Sequence, residues 1–151
     1  MRTTLTYELT ERLRLGLEYN PQGNDLGIVG NWRVLDETKT RPAIILGTSS
    51  ARIGTEDGRA FYATASKDLS TELGLPIAPY VGVAWDGGDD KLQDIGGLAV
   101  RWSGRVSSTH FYDGENLHHL LSLNSDVGTF GLVLADVEDE RYVGATVSVR
   151  F

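Results

Sequence analysis

The sequence predicts an all-β fold, an antiparallel up-and-down β-barrel of about ten strands within a range of about 8 to 12. Three observations lead there. Short alternating segments recur at regular spacing between turn residues. The last ten residues alternate without a slip: Val143, Ala145, Val147, Val149 and Phe151 fall on one face, and Tyr142, Gly144, Thr146, Ser148 and Arg150 on the other. No stretch carries a helical period, although Lys67 to Leu75 has room for one turn.

Taken in order, Thr3 to Leu9 is a short first segment, ending at Thr10 and Glu11. Leu13, Leu15, Leu17 and Tyr19 then alternate with Arg12, Arg14, Gly16 and Glu18, and Pro21 to Asp25 makes a turn. Leu26, Ile28, Gly30, Trp32 and Val34 alternate with Gly27, Val29, Asn31 and Arg33. Further strands are expected over Pro42 to Gly54, Arg59 to Lys67, Ala78 to Trp85, Ile95 to Ser103 and Val106 to Tyr112. Leu117 to Asn124, Val127 to Asp136 and Tyr142 to Phe151 complete the series. Short turns join neighbours, which favours a meander over a Greek key. Ten strands would bring both termini to one side. The Thr3 to Leu9 segment is then an extra, either an eleventh strand of a truncated even-numbered barrel or an edge strand outside the ring.

The 151 residues suit a single domain spanning 1–151. Cysteine is absent, so no disulfide or thiolate metal site can form. A net charge of -7 argues against a nucleic-acid partner, which needs a basic stripe. No run approaches the roughly 20 apolar residues of a membrane-spanning helix. The opening residues lack the apolar stretch and cleavage site of a signal peptide, so an exported protein would be a mature form or part of a longer chain. Gly47 to Gly54 lacks the lysine and following helix of a phosphate-binding loop, and no other cofactor motif is present.

Alternation alone leaves open which face is wet, because a soluble barrel with an apolar cavity and a membrane barrel share one pattern. Three features favour a transmembrane barrel. Tyr19, Trp32, Trp85, Trp102, Tyr142 and Phe151 lie near strand ends, as interfacial aromatics do. Small residues mix with charges on the face expected to line a lumen, where Arg12, Arg14, Glu18, Arg33, Arg101 and Arg150 would form a polar network. The faces Leu13-Leu15-Leu17 and Phe130-Leu132-Leu134 carry no charge. The alternative is a soluble β-barrel that binds an apolar ligand.

All three histidines fall between Ser108 and His119, across one expected hairpin. A membrane-embedded Ser/His/Asp hydrolase of the outer-membrane phospholipase kind, using the His110 to His119 hairpin, is one reading. A zinc site of His110, His118 and Glu115 or Asp113 is another. Adjacent His118 and His119 must point to opposite faces, so at most one serves any given site. The reading preferred from sequence is a polar hairpin tip, with no catalytic residue, metal or cofactor assigned. Lys67 and Asp68 read as a strand-end turn rather than a lumen ion pair.

Several segments resemble small bacterial outer-membrane β-barrel proteins and the barrel segments of YjbH-like lipoproteins. They are Leu13 to Pro21, Gly47 to Thr55, Tyr62 to Leu69, Ala78 to Gly82, Gly96 to Leu98, Tyr112 to Gly114 with His118, and Val147 to Phe151. The resemblance implies an outer-membrane location and a structural, interaction or narrow-channel role, with no substrate or oligomeric state specified. It implies the lipid bilayer and lipopolysaccharide as partners, and the outer-membrane assembly machinery as a partner of the C-terminal strand. Phe151 and the turns at Asp36 to Arg41, Thr71 to Pro76, Ser103 to Arg105 and Ser125-Asp126 would then face the periplasm. The acidic loops Asp86 to Asp90, Asp113 to Asn116 and Glu138 to Glu140 would face outward, where divalent cations could bridge them to lipopolysaccharide.

Overall fold

The computed structural model describes residues 3–21, 24–50, 59–87, 90–137 and 140–149. Eleven strands follow one another: β1 (Thr3–Thr10), β2 (Leu13–Asn20), β3 (Asp25–Leu35), β4 (Ala43–Ser50) and β5 (Arg59–Ser66). After a single helical turn, α1 (Ser70–Leu73), come β6 (Ile77–Asp86), β7 (Lys91–Arg101), β8 (Val106–Tyr112), β9 (Leu117–Ser125), β10 (Gly128–Val137) and β11 (Glu140–Val149). They form one antiparallel sheet in chain order, an up-and-down meander. The order is open at β1 and β11, and no closing pair joins these two strands among the described residues. Every described residue of both end strands is exposed.

The first segment is a full member of the sheet. β1 pairs with β2 from Thr3 opposite Tyr19 to Thr10 opposite Leu13, which makes the strand count eleven. β7 starts at Lys91, four residues before the Ile95 expected from the alternation. Backbone pairing sets a strand's extent, and the polar Lys91-Leu92-Gln93-Asp94 run conceals that pairing from a reading of side chains. Arg150, Phe151 and the turn at Thr55 to Gly58 lie outside the described residues.

Turn chemistry explains the connections. The Thr10 hydroxyl accepts bonds from the Arg12 and Leu13 amides, closing β1 onto β2. Ser103 does the same for Arg105 and Val106 before β8. Asp113 Oδ1 accepts from the Glu115 and Asn116 amides before β9. Asn24 and Asp90 adopt the left-handed conformation that these two residue types tolerate at turns. Gly74, also left-handed, ends α1.

The chain forms two compact units, residues 1–66 with 81–94 and residues 67–80 with 95–151. In the first, Leu5, Leu17 and Ile28 line up across three strands, as do Tyr7, Leu15, Gly30, Thr48 and Phe61. The opposite face carries the row Glu8, Arg14, Asn31, Gly47, Tyr62. Large apolar side chains of the first face are exposed, whereas the buried Asn20, Val29, Ala43 and Asp86 all belong to the second. In the second unit the rows Val106-Leu123-Phe130-Val147 and Leu121-Leu132-Ala145 form an apolar face. Leu121, Leu123, Phe130 and Leu132 are exposed there, while His118 and Ala135 are buried on the other side.

Each unit lays a tyrosine ring across a glycine. A Cβ on Gly47 would come within 2.3 Å of the Tyr62 ring, and one on Gly97 within 2.6 Å of the Tyr80 ring. Only glycine permits these close approaches. Glycine at such positions is also how strongly curved sheets are built.

Candidate functional site

Three arginines gather in the first unit, each with an acidic partner. Arg14 pairs with Glu8 directly across β1 and β2. Arg12 pairs with Asp36, and Arg33 reaches the same carboxylate at 2.9 Å while donating to the Glu11 carbonyl. Glu8, Arg12, Arg14, Arg33 and Asn31, with Leu13 and Ile45, line an open groove of about 230 Å³. Glu18, on the Arg14 face, accepts a 2.9 Å bond from the Thr4 hydroxyl.

Arg101, in the second unit, binds Asp68 at 2.9 Å and the Ser70 hydroxyl at 2.9 Å. Hydrogen bonds from the Ser70 side chain and amide, helped by Arg101, outweigh desolvation and lower the Asp68 carboxyl to about 2. Lys67 pairs with Glu72 instead, so Lys67 and Asp68 serve separate partners around α1. The acidic partners Glu8 and Asp36 escaped the sequence reading, and Asp68 entered it only beside Lys67, not as the partner of Arg101. Glu8 left a trace in the alternation that faces Arg14.

Aromatic side chains mark the strand ends of the apolar faces, and their polar tips turn to the adjoining loops. Tyr19 donates to Asn24, Trp85 to Asp90 and Tyr112 to the Gly114 carbonyl. Trp85 also stacks on Phe61. Trp32 and Trp102 are exposed on the apolar faces of their units. Tyr142, opposite Ala135 in the register, lies on the other face and donates to Glu140. Tyr112 is a further aromatic of this kind, outside the six read as interfacial from the sequence.

The β8–β9 hairpin divides its histidines between faces. His118 is fully buried, packs against Phe111 and bonds through Nε2 to Asp113 Oδ2 at 2.8 Å. Its Nδ1 has no hydrogen-bond partner. Burial pushes the Asp113 carboxyl up, but bonds from the Asn116 amide, His118 and the Glu115 amide prevail and leave it below the usual carboxylate value. Asp113 therefore both closes the turn and holds His118.

His110 and His119 stand opposite one another on the apolar face, with Nδ1 atoms 2.8 Å apart. His110 Nε2 is 3.2 Å from the Ser108 hydroxyl, which accepts a 2.9 Å bond from the Trp102 indole. Asp113 binds His118, which lies on the face opposite Ser108, so the Ser/His/Asp alternative is not assembled here. His110 and His118 point to opposite faces and do not share a metal. Among the described residues no cluster of three metal-ligating side chains occurs.

No helix among the described residues is long and apolar enough to cross a membrane. No family model, curated protein or solved structure matches this chain.

Proposed function

We propose that this chain forms the wall of a β-barrel in the bacterial outer membrane, with a structural, interaction or narrow-channel role. Its apolar sheet faces meet lipid, and its opposite faces line an ion-paired interior. One observation carries the reading. Large apolar side chains from all eleven strands are exposed, while the buried apolar residues are only Val29, Ala43, Val100 and Ala135 among those described. In water such continuous apolar faces demand a cover.

Further features support lipid as that cover. The Tyr19, Trp85 and Tyr112 tips turn toward the loops, as aromatics do at a membrane boundary. The ion-paired side chains Arg12, Arg14, Arg33 and Glu8 border one open groove of the first unit, as a hydrated lumen would require. The proposal requires the open edges β1 and β11 to be paired, with each other or with further strands. In this reading β11 is the strand met by the assembly machinery, and the acidic loops lie near lipopolysaccharide.

The test is refolding from urea into dodecylmaltoside or short-chain phosphatidylcholine vesicles. Heat-modifiable migration on gels with β-type circular dichroism is expected. A folded, monodisperse protein in detergent-free buffer would overturn the assignment.

A further inference from the structure

We propose that Ser108, His110 and His119 form a nucleophile, base and positioning series that hydrolyses acyl esters presented from a lipid or detergent phase. This rests on the membrane reading for its substrate supply, and on hydrogen-bond geometry for its chemistry. The 2.8 Å separation of the two Nδ1 atoms requires one shared proton between the rings. With that proton on His110, its Nε2 presents a lone pair to Ser108 at 3.2 Å. The Trp102 indole N–H fills an acceptor position on Ser108 Oγ, leaving the serine proton directed at His110. Trp102, Ser108 and His110 then each donate to the next group, and the series ends on the His119 Nδ1 lone pair.

The surroundings supply the substrate class. Ser108 stands in the row Val100-Ser108-Leu121-Leu132, and the imidazole pair in the row Leu98-His110-His119-Leu134. Acyl chains suit such rows. Ser108 itself is buried and bonded to the exposed Trp102, so the indole must swing aside to admit an ester carbonyl.

In the reaction Ser108 Oγ attacks the carbonyl carbon as its proton passes to His110 Nε2. Collapse expels the alcohol, which takes that proton, and leaves an acyl-serine. Water then attacks with His110 again as base, releasing the carboxylic acid and restoring the serine. His119 touches no substrate and holds the His110 ring and tautomer.

The experiment uses the full chain in dodecylmaltoside and, in parallel, in buffer, with folding read from heat-modifiable migration. A fluorophosphonate probe and p-nitrophenyl octanoate are the reagents. Wild type is expected to label at Ser108 and turn over the ester. Ser108→Ala and His110→Phe should lose at least about 100-fold, the range removed with a general base. His119→Phe should lower kcat by about 100-fold with KM unchanged, whereas His119→Asn, whose Oδ1 accepts the same bond, should recover to within about tenfold of wild type. Folded wild type that neither labels nor exceeds Ser108→Ala overturns the proposal, and His119→Phe with full kcat overturns the positioning role. Labelling of Ser108 in buffer by a chain that does not fold in detergent would retain the triad and discard the membrane reading.

Discussion

The hairpins β1–β2 and β8–β9 obey the same alternation and differ in one respect. In β1–β2 the division is complete: Leu5 faces Leu17 and Tyr7 faces Leu15 on one side, while Glu8 pairs with Arg14 and Thr4 with Glu18 on the other. In β8–β9 the inner pattern is interrupted on the apolar side, where Ser108, His110 and His119 occupy places between Leu98, Val100, Leu121 and Leu134. A surface designed only to meet lipid has no use for these groups, and one apolar substitution each would remove them. Local choices that contradict the surrounding pattern concentrate at functional sites. On the two proposals above, the first hairpin reports the environment of the sheet, and the second an activity placed upon it.

The largest effect expected is on the apolar face of the first hairpin. Leu17→Arg puts a charge near the middle of β2 and should cost about 2–4 kcal/mol for folding into vesicles, while Tyr19→Arg at the strand end should cost about 0–1 kcal/mol. Urea titration of refolding into phosphatidylcholine vesicles measures both. Equal and negligible effects would mean that water already covers this face.

The second hairpin sharpens the contrast through its two faces. His118→Ala strips a buried partner from Asp113 and should destabilise by about 1–3 kcal/mol. The double substitution His110→Leu with His119→Leu removes both members of a polar pair at once, which is nearly neutral or stabilising when the replacements are apolar. Unfolding midpoints should therefore fall for the first protein and hold or rise for the second. A comparable loss in the double variant would make the imidazole pair a structural clasp.

The strand series was legible because turn residues and period-two alternation coincide along nearly the whole chain, and β8 (Val106–Tyr112) follows directly from both. β7 was read short because Lys91 to Asp94 pair through backbone while showing no apolar alternation. Pairing across strands was harder to see. Arg14 with Glu8 follows from register, which a hairpin turn fixes, but Arg101 with Asp68 spans 33 positions and passes through the α1 connection. The histidines were visible as a cluster, and their opposite faces follow from adjacency of His118 and His119. The assignment of Asp113 to His118 was not, because it depends on how the Gly114 turn carries the carboxylate back over β9.

Acid separates the connections as the substitutions separate the faces. Asp68 has its folded carboxyl lowered to about 2, below the unfolded value of about 3.9. Its contribution is thus present above pH of about 4 and is lost as pH falls from there through about 2. Asp68→Asn should lie below wild type in urea midpoint at neutral pH, and the gap should close across that acid window. The Arg14–Glu8 pair, with both side chains more than half exposed, is the smallest case. Arg14→Met should cost less than about 1 kcal/mol, and raised salt should shrink even that. A larger, salt-insensitive loss would mean that the Arg14 face is shielded from bulk solvent, which is what a closed ring around this groove requires.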